Sequence, residues 1–240
     1  MESKYERKGV AGEGAFGVVY RVVHKDTGKV FAMKKIKMDK STDGVRSSAI
    51  DEIMALQEIR HENVVTLHEV IGKRAGSVFL ILDFHDLELE HVIQAKEPNS
   101  SVVARMILSL TRVQMLLAGV EALHSLGLIH RDLKPSNLLI DELGTLKLAD
   151  LGLARTFGSP DRLFSPSAFT RRYRPPELFF GCTRYGKSAD MWSVGCILAE
   201  MMLRQPLFPA DTDLGVVNCI FEKLGYPHMD VYERLLRSSV

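Results

Sequence analysis

The sequence predicts an α+β protein of two lobes, a small antiparallel β-sheet lobe carrying one helix and a larger, mainly helical lobe. Three observations carry that prediction. Apolar and polar residues alternate with period two between residues 5 and 37, and strand-like runs return in "NVVTLHEVIG" and "SVFLILDF". After "FHDLE" the apolar spacing becomes helical, as in "VARMILSLTRVQMLLAGVEALHSLG". Between the long helical runs lies "IHRDLKPSNLLI" at 129–140, five polar or charged groups flanked by apolar residues. The change of character places an N-terminal lobe at 1–84 and a C-terminal lobe at 85–240, hinged near Leu82 to His85. Clefts between lobes are where ligand sites tend to lie.

Taken in order, "VVYRVV", a turn at "DTG" and "VFAMKKI" read as paired strands. "SSAIDEIMALQEIR" then opens a helix, with Ser48 and Asp51 in capping positions and Ile50, Ile53, Met54 and Leu56 at helical spacing. The basic turn "KRAG" separates the next two strands. In the second lobe the long helix closes at Gly127, "NLLIDELGTLKLAD" reads as a hairpin, and "ADMWSVGCILAEMML" is apolar on most sides, as a central buried helix would be.

Bulk composition narrows the functional classes. The 240 residues are 46% hydrophobic and 25% charged, ordinary for a globular chain. Lys plus Arg is 31 against 30 for Asp plus Glu, so no general nucleic-acid or membrane surface is expected. Cys182, Cys196 and Cys219 lack C-x-x-C spacing and read as reduced core thiols. "MESKYERKGV" has no apolar signal region, and nucleus or cytoplasm is the expected location.

Gly12, Gly14 and Gly17 form a G-x-G-x-x-G-x-V array in "GEGAFGVV". A dinucleotide fold would start a helix after the third glycine. Here strand alternation continues through Val18, Val19, Tyr20 and Val22, so the glycines sit at a hairpin tip and let backbone N–H groups lie over a polyphosphate. Lys34 in "FAMKKI" points from a strand into the space under that loop, and Glu52 on the following helix, flanked by Ile53 and Met54, is its expected partner. Read as an exposed pair, Lys34–Glu52 would matter for position rather than stability.

The glycine hairpin, A-x-K, the helix glutamate, "HRDLKPSN", "DLG" and "PPE" together resemble the eukaryotic protein kinases in order and spacing, from about Tyr5 to Leu224. "DGVRSSAIDE" and "GCILAEMMLRQPLFPADTDL" resemble the cyclin-dependent branch, and "ARTFGSPDRLFSP" with "YGKSADMWSVGCILAE" resembles the CDK-activating kinases. The resemblance implies a bilobal kinase fold and a serine/threonine kinase using ATP and Mg²⁺. It also implies a cyclin partner through Asp43–Glu52, a protein substrate, and room for an assembly subunit. Asp132 would accept or orient the proton of the attacking hydroxyl, Lys134 would neutralise charge on the phosphoryl group, and Asn137 and Asp150 would hold the metal. Adenine would lie between Val19 and Ala32 above and Leu139 below, with Leu82 as gatekeeper and hydrogen bonds from the backbone of Asp83 and His85. His130 would brace the backbone near "DLG".

By the same resemblance Ser165 is the activation-loop phosphosite, Arg131 and Arg155 would coordinate its phosphate, and Thr170 and Arg174 belong to the substrate pocket. Four departures stand out. Asp51 occupies the position of a third phosphate-binding arginine, with Arg46 a nearby substitute. Ala15 and Phe16 carry no hydroxyl for inhibitory phosphorylation. Arg172 replaces a bulky apolar residue, and Leu151 replaces the phenylalanine of "DFG". The family's second lobe continues past "LGYP" and supplies an arginine partner for Glu177. A shortened chain that binds nucleotide or cyclin without transfer is therefore the alternative reading.

Overall fold

A computed structural model describes residues 4–14, 17–36, 47–72, 78–95, 102–157, 164–165 and 167–227, with the backbone alone at 47–51 and 102–107. In the first lobe β1 (Tyr5–Gly14), β2 (Gly17–His24), β3 (Val30–Ile36), β4 (Leu67–Gly72) and β5 (Val78–Asp83) form an antiparallel sheet of order β1-β2-β3-β5-β4. Period-two alternation sorts its faces. Tyr5, Val22, Met33, Phe79 and Ile81 bury one face. On the other, register places Val19, Lys34 and Leu80 in one cross-strand row and Ala32 beside Leu82 in the next.

Helix α1 (Ser47–Glu58) packs its inner stripe of Glu52, Ala55 and Leu56 inward, together with Ile59 just beyond its end. That is the i, i+3, i+4, i+7 pattern of a helix with one buried face. Met54, expected beside Glu52, instead points outward and is 54% exposed, because it lies off that stripe. Of the expected cyclin-contact segment Asp43–Glu52, the first four residues, Asp43–Arg46, lie outside the described residues, and of Ser47–Asp51 only the helical backbone is described.

Three residues, Phe84–Asp86, connect the end of β5 to β6 (Leu87–Glu88). The second lobe continues with α2 (Leu89–Gln94), α3 (Val102–Ser125), β7 (Leu128–Ile129), β8 (Leu138–Ile140), β9 (Leu146–Leu148), β10 (Arg155–Thr156), α4 (Pro176–Phe179), α5 (Lys187–Leu203) and α6 (Asp213–Leu224). Gly127 takes φ +71° where α3 ends, and the Thr212 hydroxyl caps α6 by accepting from Gly215 N at 3.1 Å. The predicted hairpin is β8–β9, with β6 added on the outer edge of β8.

One apolar core runs through both lobes, from Leu80, Leu56 and Val65 to Leu116, Leu138, Leu148, Ile197 and Phe208. Polar stitching accompanies it. Val65 N donates to Leu148 O at 3.0 Å, and Asn63 bonds Leu148 N through its carbonyl and Leu146 O through its side chain. At Gly119 of α3 a Cβ would lie 2.7 Å from Asn63 O, so glycine permits this close approach. Helix α5 departs from the expectation of burial on most sides. It buries Ala189, Asp190, Ser193, Val194, Ile197 and Met201, while Met191, Met202 and Leu203 are exposed because no described element covers that face. No helix among the described residues is long and apolar enough to cross a membrane.

Candidate active site

The segment 129–137 leaves β7 and returns through a short 3₁₀ turn, Pro135–Asn137, into β8. Its path requires a left-handed conformation at Arg131, φ +69°. A non-glycine residue there is strained and needs external support. Asp190 of α5 supplies it, accepting from the backbone N–H of His130 at 2.8 Å and of Arg131 at 2.9 Å, and bonding His124 Nε2 at 2.8 Å. His130 spans the other side, with Nδ1 accepting from Asp132 N at 3.2 Å and Nε2 contacting Ala149 O at 3.0 Å. The expected bracing role of His130 matches this geometry.

Asp132 projects from that frame with all its accepting positions engaged. Lys134 Nζ at 2.8 Å and Asn137 Nδ2 at 3.1 Å reach Oδ2, while Thr170 Oγ1 at 2.5 Å and Thr170 N at 3.3 Å reach Oδ1. Two carboxylate oxygens offer about four lone-pair sites. An approaching hydroxyl must therefore share or replace one of these donors. Lys134 also lies 3.4 Å from Thr170 Oγ1. Beside them is a cavity of about 320 Å³, lined in part by Glu90, Ser136, Arg172 and Asp211.

The second charged group spans the lobes. Lys34 Nζ donates to Glu52 Oε1 at 2.6 Å and to Asp150 Oδ1 at 2.7 Å. The sequence expectation of an exposed Lys34–Glu52 pair is corrected: their side chains are only 7% and 4% accessible. They are buried because β3 presents Lys34 to the core side of α1, where Glu52 shares the stripe of Ala55 and Leu56. Burial alone would lower the Lys34 pKa, yet the two carboxylates outweigh it and leave it raised. Burial pushes Glu52 up, with Lys34 offsetting only part. Burial also opposes ionisation of Asp150, but Lys34 reverses this and holds its carboxyl below the usual range. Asp150, like Arg131, is a left-handed non-glycine residue, φ +58°. The next residue, Leu151, is fully buried, so the leucine in "DLG" fills the core as an apolar plug.

On the side expected to take a nucleotide, Gly14 pairs with Gly17 at the tip of β1–β2. Gly17 has φ +153° and a Cβ there would lie 2.0 Å from Lys35 O, which only glycine avoids. Nothing lies within 4 Å of a Cβ built at Gly12, and Ala15 and Phe16 lie outside the described residues. Val19, Ala32 and Lys34 share the sheet face, with Leu82 on the neighbouring strand and Leu139 half-buried on β8. Asp83 modifies the expectation: its backbone N–H already donates to Thr66 O at 3.2 Å. Its carboxylate clamps β4, contacting His68 Nε2 at 2.7 Å and Thr66 N at 3.0 Å. His85 is half-buried, and its Nε2 has no partner among the described residues.

On the loop side, Ser165 is exposed and its hydroxyl contacts Ser167 Oγ at 2.8 Å. Arg131 is joined to this stretch through Tyr185, whereas Arg155 NH1 donates to Ala154 O at 2.8 Å. Ser159, Pro160, Pro166 and Arg46 lie outside the described residues, as does the side chain of Asp51. Arg174 donates twice to Phe169 O, at 2.9 and 3.2 Å, and Arg172 pairs with Asp211 at 2.8 Å. Glu177 is half-buried, and burial raises its pKa; no cation pairs with it among the described residues. Sequence reasoning missed Asp190 and Tyr185. The signal for Asp190 was a carboxylate, one of two with Glu200, inside an otherwise apolar run of α5; nothing local marked Tyr185.

A two-lobed fold with a glycine hairpin, a buried lysine–glutamate pair and an aspartate-centred loop defines a phosphotransferase-type cleft, and the protein kinase domain family matches residues 5–233. The chain belongs to the protein kinase family. Among characterised relatives it is 44% identical to Cyclin-dependent kinase 7 of Xenopus laevis over 93% of this chain and 63% of that protein. It is equally 44% identical to Cyclin-dependent kinase 7 of Caenorhabditis elegans, over 98% of this chain and 71% of that one. A third relative at 44% is Serine/threonine-protein kinase crk1 of Schizosaccharomyces pombe, over 96% and 67%. The chain thus spans about two thirds of the length of these relatives.

Proposed function

We propose that this chain is a serine/threonine protein kinase of the cyclin-dependent type, transferring the γ-phosphate of ATP to a hydroxyl in a protein substrate. One observation carries the reading: Asp132 stands in a pocket where Lys134 and Thr170 bracket its two oxygens, beside an open cavity. Asp132 accepts or orients the hydroxyl proton, a contribution of about 10²–10⁴-fold. Lys134 neutralises charge as the phosphoryl group moves, and Thr170 fixes the carboxylate. Arg174, holding the backbone at Phe169, shapes the pocket for a following proline.

The residues present fit a nucleotide and a hard cation. Gly12, Gly14 and Gly17 leave the hairpin backbone bare, and Val19, Ala32, Leu82 and Leu139 supply apolar walls. Lys34 offers an ammonium fixed by two carboxylates. Asn137 Nδ2 is committed to Asp132 O at 2.8 Å, which leaves its amide oxygen for a metal, and Asp150 adds a carboxylate. Two protein oxygens with the rest from phosphates and water is how Mg²⁺ is usually held. When bound, the ion neutralises phosphate charge. The relatives named Cyclin-dependent kinase 7 support a cyclin partner, and the proposed reading seats that partner on the α1 side. An assembly subunit, loop phosphorylation at Ser165, and a nuclear or cytoplasmic location belong to the same reading.

The test is direct. The chain with a candidate cyclin, Mg²⁺, labelled ATP and a Ser-Pro peptide is expected to label the peptide, and Asp132→Asn is expected to reduce labelling at least about a hundredfold. Equal labelling in both removes the kinase assignment.

A further inference from the structure

Arg131 is almost fully buried yet has no anionic partner within hydrogen-bond reach among the described residues. Its Nε donates to Leu153 O at 2.7 Å, its NH1 donates to the Tyr185 hydroxyl at 3.3 Å, and its guanidinium carbon lies 5.5 Å from the Phe164 ring centroid. The Tyr185 hydroxyl in turn donates to the carbonyl of Ser165 at 2.8 Å, so one oxygen joins the arginine to the activation loop. Phe164 enters this nest as a plug. It is buried, its N–H donates to Thr183 O at 2.8 Å, and its ring lies 5.1 Å from that of Tyr185.

Tyr185 also packs edge-on against Phe169 at 5.6 Å. Phe169 is the residue before Thr170, whose hydroxyl and N–H hold Asp132. A continuous line of contacts therefore runs from the loop at Phe164 and Ser165, through Tyr185 and Phe169, to the carboxylate that receives the substrate hydroxyl. Nothing in that line uses the Ser165 hydroxyl, which faces outward onto Ser167. Rings clustered around a desolvated cation attract it more strongly than exposed ones do. The loop is thus seated by aromatic packing and one tyrosine hydroxyl at the place where a phosphate would otherwise recruit the arginine.

We propose that Tyr185 is a positioning residue for phosphoryl transfer: with Phe164 it seats the activation segment on Arg131 without a phosphate, and so sets Thr170 against Asp132. This inference rests on the kinase reading for its catalytic consequence but not for its structural one. The test compares wild type, Tyr185→Phe, Phe164→Ala, Phe164→Tyr and Ser165→Ala, all with unphosphorylated loops. Two readouts are taken: the rate of protease cleavage within residues 154–170 of the native chain, and kcat and KM with cyclin, Mg-ATP and a Ser-Pro peptide.

Tyr185→Phe keeps the ring and removes one hydroxyl. It is expected to speed cleavage and lower kcat by about fivefold each, with KM for ATP unchanged. Phe164→Ala is expected to do more, and Phe164→Tyr to stay near wild type. Ser165→Ala is expected to keep wild-type protection to within about twofold, because the bond is to its carbonyl. Wild-type cleavage in Tyr185→Phe, or loss of protection in Ser165→Ala, overturns the proposal. So does a parallel shift of kcat and ATP KM in Tyr185→Phe, which marks general loosening. A wild type that labels no peptide defeats the kinase reading alone, and the cleavage rates still decide the seating.

Discussion

Replacing Asp190 by asparagine tests how the loop at residues 129–137, proposed to be catalytic, is held. In the native arrangement this carboxylate is wholly buried and takes three donors: the N–H groups of His130 and Arg131, and His124 Nε2. Hydrogen bonds to a charged group contribute about 1.5–3 kcal/mol each, and a buried donor left unmatched costs about 1–3 kcal/mol. Asparagine keeps one accepting oxygen and turns the other position into an NH₂ group that faces donors. At least one backbone N–H is then unmatched and every remaining bond loses its charge. The expected destabilisation is about 3–5 kcal/mol, the range for breaking a buried charged partnership. That is a large share of the roughly 5–15 kcal/mol by which domains are stable. Urea unfolding should show a lower midpoint at unchanged slope. In whatever fraction stays folded, Arg131 loses the support for its φ of +69°, so kcat should fall while ATP affinity holds. A loss of stability under about 1 kcal/mol with unchanged kcat would refute the reasoning, because the carboxylate would then be dispensable to the loop.

Three further outcomes are expected. Glu52→Gln removes one of the two charges fixing Lys34 while keeping the side chain's shape; peptide labelling should drop about a hundredfold, since small misplacements at such centres cost that much. Cys196 is pushed up to about 12, chiefly by burial, so it should resist alkylation at pH 8 in the native chain and react only on unfolding, as mass mapping would report. Asp83, despite its burial, is held below its ordinary 3.8 by bonds from His68 and Thr66. A depressed carboxylate contributes stability above the unfolded value that is lost as pH falls through the folded one. Asp83→Asn should therefore be less stable than wild type at pH 6 by about 1 kcal/mol, the two converging as pH drops below 3.8 and through the folded value, and a gap that persists at lower pH would count against the clamp.

The sequence made the two lobes and the polar segment at 129–137 legible because each rests on local information. Period-two alternation located β1 to β5, and the polar island at 129–137 had to be held by something or it would not fold. Glu52 was legible as a partner of Lys34, but its burial was not. Which residues share the stripe with Ala55 and Leu56 depends on how α1 rotates against the sheet, and Met54 shows how one step around the helix reverses exposure. Asp190 and Tyr185 stand 59 and 54 positions from Arg131, and contacts at that separation leave no pattern in a local window. The hinge carried a similar surprise. Asp83 was read for its main chain, yet its side chain ties the end of β5 back to Thr66 and His68.

Sharing one ammonium between Glu52 and Asp150 makes two distant parts of the cleft answer to a single atom. A rigid tilt of α1 away from the sheet strips half the neutralising charge from a lysine that has almost no water to turn to, so Lys34 must lean onto Asp150 or follow the helix. Whatever leans on the outer surface of α1 thereby adjusts the carboxylate nearest the proposed metal, without touching it.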